Sequence, residues 1–355
     1  MKALFVGTLD GIFKVVQPGG KWTVERSDLA GAEVNALVIH PVKREVVYAG
    51  VRGGGLSKSE NSGRSWQRLG DGVLSDKVRA LTLDPSNPQV LYVGTEPPGL
   101  WKSEDGGRTW SELVGLRELA LGRGWTYPVP KIEPHVRCIT VDANDSKRIW
   151  VAAQVGGIAM SEDGGSTWTD VREPIDMDVH NVVIDPRENG VLYAATGGGE
   201  NFPSATPFPK GRPLYRSKDG GRSWQCITKE FTRTYSVPVR VHPKDSRCLF
   251  LGVAEEPPPV WLHRSNKANG ALVRSSDGGG TWQTLLSGLP DPFLSMVECI
   301  DFDPDRPDRV FIGTGGEGAR FINLNQGEIY HSLDRGDHWE KIPVAFPIIY
   351  ALAVQ

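Results

Sequence analysis

The chain has 355 residues, of which 39% are hydrophobic, 23% charged and 8% aromatic, and 42 are glycine. Lys and Arg number 40 against 43 Asp and Glu, a net charge of −3 that lacks the basic footprint of a nucleic-acid binder. The hydrophobic share is too high for a disordered chain, and no apolar run approaches the roughly 20 residues of a membrane span.

In chain order, the first segment, Met1–Thr8, reads as a strand, and the apolar stretch within it, Ala3–Val6, is too short for a signal peptide. Trp22 then opens a series continued by Trp66, Trp110, Trp168, Trp224, Trp282 and Trp339, at separations of 44, 44, 58, 56, 58 and 57 residues. Such a period marks a repeat architecture. Before six of these tryptophans lies the pattern S-x-D-x-G-x-[ST]-W. It is complete in Ser103–Trp110, Ser161–Trp168, Ser217–Trp224 and Ser275–Trp282. Asn61 replaces Asp in Ser59–Trp66, and His338 replaces Thr in Ser332–Trp339.

Each pattern follows the same strand signals. Val78–Leu83 alternates, Asp84-Pro85 turns, Val90–Val93 follows, then Gly94-Thr95 and Leu100–Ser103. Short β-branched and aromatic runs punctuated by Gly, Pro and Asp read as four antiparallel strands per unit, the pattern of a propeller blade. No amphipathic helical period persists for 11 residues. The first residues match the second strand of a blade, and Ile349–Val354 match an inner strand with no blade after it. The expectation is an all-β chain: one seven-bladed β-propeller domain over residues 1–355, with four-stranded blades and a ring closed by N- and C-terminal strands in one blade.

The box resembles the Asp-box, or bacterial neuraminidase repeat, of sialidases, xyloglucanases, sortilin-type receptors and photosystem II assembly factors. The resemblance covers nearly the whole chain and implies a propeller. Several features of the individual subfamilies are not read here: the Arg-Ile-Pro motif and catalytic Asp loop of sialidases, the tandem propellers of xyloglucanases, the cysteine-rich modules and membrane span of sortilin-type receptors, and the basic patch and export signals of the assembly factors. Within the box, Asp can accept from backbone N–H groups of the hairpin turn, Gly permits a positive φ, and Trp packs in the blade. Asp105, Asp163, Asp219, Asp277 and Asp334 are therefore structural. A calcium loop is not completed, because its second acid and distal Glu are missing.

Four segments lengthen the later repeats: Leu116–Pro134, Gly197–Pro213, Ala254–Gly270 and Gly315–Gly327. By their place between strands, all four are expected around one end of the central channel. They carry Trp125 and Tyr127, Phe202 and Phe208, Trp261 and Phe321. These rings either cover apolar surface on long loops or form an aromatic rim around a ligand or partner.

Aligning the inner strands on their terminal Asp-Pro or His-Pro turns gives a column of Asn35, Arg79, Arg137, His180, Val237, Glu298 and Tyr350. A second column, at the exit of the second strand, holds Arg52, Glu96, Gln154, Glu255 and Glu317, with Glu200 nearby. Some of these charges are expected to pair structurally. Convergent Arg, His, Glu and Tyr in a concave site also define the candidate active site. Arg52, Arg79 and Arg137 suit a carboxylate, with Asn35, Glu317, Trp125 and Trp261 beside them for substrate binding. Glu298 beside Tyr350 resembles the base and phenol nucleophile of sialidases, and Glu96, Glu255 or Glu317 is available as the acid. His180 suits a proton shuttle or, with His135 or His263 and a carboxylate, a divalent-metal ligand; no cofactor is otherwise required.

Gly313–Gly318 satisfies G-x-G-x-x-G but lacks a predicted helix after it and any βαβ unit. Asn144-Asp-Ser146 is a glycosylation sequon with no export signal to use it. Cys138, Cys226, Cys248 and Cys299 lack metal-type spacing, and unpaired thiols suit a reducing cytoplasm. The expected function is a sialidase- or glycosyl hydrolase-like enzyme, by hydrolysis or elimination on a polar, anionic or sugar-like substrate at the decorated mouth. The alternatives are a noncatalytic scaffold binding a protein or ligand through the same face, and a metal-dependent hydrolase or lyase using His and Glu. Neither nucleic acid nor membrane is an expected partner.

Overall fold

A computed structural model describes residues 3–70, 74–126, 133–171, 174–197 and 212–355. Tyr127, Glu200, Phe202 and Phe208 lie outside the described residues. The chain is all-β in architecture and built from four-stranded antiparallel units. In the first complete unit the inner strand β1 (Glu33–Ile39) pairs with Val47–Arg52, which pairs with Gly55–Ser59, which pairs with Gln67–Leu69. The inner strands of the following units are β2 (Val78–Leu83), β3 (His135–Val141), β4 (Val179–Ile184), β5 (Tyr235–His242) and β6 (Met296–Phe302). The last strand, β7 (Ile349–Val354), pairs antiparallel with the N-terminal strand Leu4–Thr8, and Gly11–Val16 and Thr23–Asp28 extend that sheet. Each inner strand contacts the next in chain order, and β7 contacts both β6 and β1. The last two units are not wholly separate sheets, because a single parallel pair, Gly315 with Ile349, joins them.

All seven inner strands share one irregularity. Val34 and Ala36 pair with consecutive partners while Asn35 is skipped, and the same holds for Arg79, Arg137, His180, Glu298 and Tyr350. In β5 the skipped residues are Val237 and Pro238. These are β-bulges, which leave one residue unpaired and turn its side chain out of the ordinary alternation. The bulged residues are the members of the polar column.

Close packing between neighbouring units explains part of the glycine content. A Cβ on Gly94 would lie 2.3 Å from Val136 Cγ1, the residue before the bulged Arg137. The apolar clusters run between adjacent units, as where Tyr92 and Leu100 of one sheet pack with Ile149 and Val151 of the next.

The Asp-box geometry is visible in Ser103–Trp110. Ser103 Oγ donates to Asp105 Oδ1 at 2.9 Å and accepts from the Gly107 N–H at 2.9 Å. Asp105 accepts from the Thr109 N–H at 2.9 Å and from Thr109 Oγ1 at 2.6 Å, and Trp110 Nε1 donates to the Gly107 carbonyl. The Ser–Asp and Asp–amide bonds recur at Asp163, Asp219, Asp277 and Asp334. Hydrogen bonds from Thr167 hold the Asp163 carboxyl down at about 2.

Among the described residues, three short α-helices interrupt the strands: α1 (Val114–Gly122), α2 (Pro258–Trp261) and α3 (Gly316–Phe321). Periodicity misses them because each is shorter than the window in which a helical pattern shows. The glycine run Gly313–Gly318 thus does lead into a helix, although no parallel βαβ unit is present among the described strands. No described helix is long and apolar enough to cross a membrane.

Candidate functional site at the channel mouth

The seven bulges bring Asn35, Arg79, Arg137, His180, Val237, Glu298 and Tyr350 to the wall of one channel of about 290 Å³. Helix α3 lies over its mouth. A Cβ on Gly316 would come within 1.9 Å of Glu298 Oε2, so only glycine allows the helix to pass so close. From this helix Glu317 accepts from Arg79 at 2.7 Å, and Arg320 donates to Glu33 at 2.6 Å while standing over the Tyr350 ring. A second cavity of about 30 Å³, large enough for a water molecule, lies between α2 and α3; Arg137, Glu298 and Glu317 are among the residues that line it.

Pairing dominates the electrostatics. Arg137 donates to Glu298 at 2.7 Å, Arg52 lies 3.4 Å from Glu96, and Lys77 donates to Glu96 at 3.1 Å. Burial pushes the Glu298 carboxyl up, with Arg137 opposing. Burial alone would also raise Glu317, but Arg79 and Arg137 outweigh it and hold this carboxyl well below the usual range. The two glutamates on one cavity are therefore driven in opposite directions.

The remaining candidates separate. Tyr350 does not bond Glu298: its buried hydroxyl has no hydrogen-bond partner among the described residues, and burial raises its phenol, so it is not an activated nucleophile. Glu255 lines neither cavity; Arg264 at 2.6 Å and Asn269 at 2.9 Å hold it within its own insertion. Of the two readings for Trp125 and Trp261, burial favours covering apolar surface over a substrate-binding rim. Trp125 is buried beside Leu116 and Ala120 of α1, and Trp261 is fully buried against Tyr235, with Gly318 of α3 close over its ring. Phe321 alone of the described insertion aromatics stays exposed. His180 donates from Nδ1 to the Ser236 carbonyl at 2.6 Å, and its Nε2 lies 3.2 Å from Asp178. Among the described residues no three His, Cys, Asp or Glu side chains gather closely enough to hold a metal ion, so a ligand set of His180 with His135 or His263 and a carboxylate is not formed.

Glu33, Lys77 and Asp178 belong to the charged groups around the mouth but were not among the expected site residues. The signal was present. Each sits two positions before a column residue, as does His135.

The family model described as Sortilin-Vps10, "Sortilin, neurotensin receptor 3", matches residues 156–290. The Asp-box resemblance holds. The chain is 27% identical over 229 residues to the xyloglucanase Xgh74A of Acetivibrio thermocellus, covering 58% of this chain and 25% of that one. It thus spans about a quarter of the length of the curated xyloglucanases it matches. Among solved structures, the GH74 xyloglucanase of Xanthomonas campestris superposes with a TM-score of 0.62 at 18% identity, over 87% of this chain and 45% of that one. Ycf48 bound to D1 peptide superposes with a TM-score of 0.56 at 17% identity, over 88% and 81%. These likenesses support a propeller fold.

Proposed function

We propose that the seven four-stranded units form one closed ring, and that the protein is a glycosyl hydrolase-like enzyme acting on a polar, sugar-like substrate at the mouth of its channel. The observation that carries this reading is the pair Glu298 and Glu317. They border one water-sized cavity, with proton affinities pushed apart by burial on one side and by arginines on the other. Two carboxyl groups in such contrast are the acid and the ionised partner that glycoside hydrolysis needs. Glu298 is the proton donor, and Glu317 is the carboxylate that activates water or stabilises positive charge at the sugar. This reverses the roles expected from sequence, where Glu298 serves as base to Tyr350.

A panel of aryl glycosides and xyloglucan oligosaccharides tests it. Wild-type protein should release sugar from at least one member, and Glu298→Gln and Glu317→Gln, each folded, should reduce kcat by about a hundredfold or more. Wild-type turnover in either folded variant overturns the assignment.

Two observations favour a second reading, a noncatalytic binding face. Both carboxylates are already engaged by arginine at 2.7 Å, and the fold is shared with Ycf48 bound to a peptide. Saturable binding of an oligosaccharide or peptide, with no hydrolysis across the panel, selects this alternative.

A further inference from the structure

His135 takes no part in the chemistry above, yet it is almost wholly buried beside the site. Its Nε2 lies 2.8 Å from Arg79 NH2, and its Nδ1 lies 3.1 Å from the Glu133 carbonyl. A guanidinium has no acceptor and a carbonyl has no donor, so both hydrogen-bond roles are determined. Nε2 accepts from Arg79 and Nδ1–H donates to Glu133, which makes His135 a neutral imidazole in one tautomer. Arg79 NH2 also donates to Glu317 Oε1 at 2.7 Å, so its two hydrogens are divided between the histidine and the glutamate.

We propose that His135 is a positioning residue: by accepting from Arg79 it keeps the guanidinium on Glu317. The competing partners make this hold necessary. Arg79 Nε lies 3.8 Å from Glu96 and NH1 lies 4.0 Å from Glu33, both too far for hydrogen bonds but near enough to capture the side chain if it turns. Without the imidazole, Arg79 is free to rotate toward them and Glu317 loses its closest cation. A proton on Nε2 would have the same consequence, since N–H would then face N–H. The charged groups around the ring are Arg79 on β2, Arg137 on β3 and Glu317 on α3. Burial and the two arginines oppose that proton, while Glu317 favours it.

The inference rests on the reading of Glu317 as the ionised partner, but its test does not require turnover. Histidine ¹⁵N spectra of the intact protein at pH 7 should show His135 protonated at Nδ1 alone. In ¹³C titrations, His135→Ala should move the Glu317 midpoint upward. His135→Gln, whose side-chain oxygen can accept from Arg79, should restore most of the shift. On any glycoside the protein cleaves, the alanine variant should lose about tenfold in kcat with KM unchanged, and its acid limb should move to higher pH. An Nε2–H or doubly protonated His135 at pH 7, or a Glu317 midpoint unmoved in His135→Ala, overturns the proposal. The first of these is measured on the wild type and so does not depend on the variant folding. If spectra and titrations agree but no glycoside is cleaved, the enzyme reading fails while the positioning role stands.

Discussion

Arg137 reaches from its bulge on β3 to Glu298 on the bulge of β6, and the two side chains meet at 2.7 Å with little exposure of either. This pair ties together inner strands that are not neighbours, since β4 and β5 lie between them in the sequence of strand contacts. Replacing Arg137 by Met should cost about 3 kcal/mol at neutral pH, because it leaves a buried carboxyl without its cation. The cost should depend on pH in a definite direction. Glu298 is raised in the folded state, so its favourable contribution is complete below its unfolded pKa and is lost as pH rises through the folded value. Urea unfolding of Arg137→Met should therefore show a larger deficit at pH 8 than at pH 5. Adding Glu298→Gln should flatten the difference; equal deficits at both pH values would show that the carboxyl does not titrate in this range.

Tyr350 supplies a second, opposite test. Its hydroxyl is buried with no hydrogen-bond partner among the described residues, and Phe retains the ring under Arg320. An unpaired buried polar group is costly, so Tyr350→Phe should be neutral or raise stability by about 1 kcal/mol. It should leave glycoside turnover intact. A loss of turnover above tenfold, with stability unchanged, would return the phenol to the chemistry.

Much of this arrangement was legible in the sequence, and the part that was not has a physical reason. The spacing of Trp66, Trp110 and Trp168 exposes the repeat because each box makes the same local bonds. Alignment on the turns finds the column because Asn35, Arg79, Arg137, His180, Val237 and Glu298 each stand at the same spacing before the His or Asp of their turn. The bulges are invisible, since an unpaired residue is defined by its partner strand and leaves no local pattern. Charge partners are equally hidden: nothing near Glu317 in sequence announces Arg79, which lies 238 residues away. Trp125 and Trp261 look alike as insertion aromatics on either reading, and only packing against Leu116, Ala120 and Tyr235 separates core from rim.

The contact between Gly94 and Val136 links packing to the site. Gly94→Ala places a methyl 2.3 Å from Val136 Cγ1 and 3.2 Å from Ala80 Cβ, so one strand must shift. Overpacking of this kind costs about 1–3 kcal/mol. The shift falls next to Arg137, so any catalytic activity should drop with stability. Combining it with Val136→Ala removes the 2.3 Å contact and leaves Val136 Cβ as the nearest atom, at 2.7 Å, so the double variant should be more stable than the sum of the single effects predicts, by about 1 kcal/mol. Strict additivity in denaturant melts would place the strain elsewhere.

The turns that end the inner strands use two kinds of acceptor. Asp84, Asp142, Asp185 and Asp303 each accept a backbone N–H two residues on. At two turns a histidine does this work: His40 Nδ1 accepts from the N–H of Val42 and of Lys43 at 3.2 and 3.0 Å, and His242 Nδ1 accepts from Lys244 at 3.2 Å. An imidazole can accept at Nδ1 only while that nitrogen is unprotonated. Burial lowers His40, reinforced by Lys43, and burial also lowers His242, with Arg335 adding to the effect and Asp308 opposing it. For a histidine lowered in the folded state, the stabilisation is present above the unfolded pKa of about 6.5 and is lost as pH falls through the folded value. The stabilisation from these two turns should accordingly fall between pH 7 and pH 5. His40→Asp, which copies the other turns, should lose less over that interval, by on the order of 1 kcal/mol. Chemical denaturation at pH 7 and pH 5 measures the difference, and the same loss in both proteins would show that the His40 turn does not titrate.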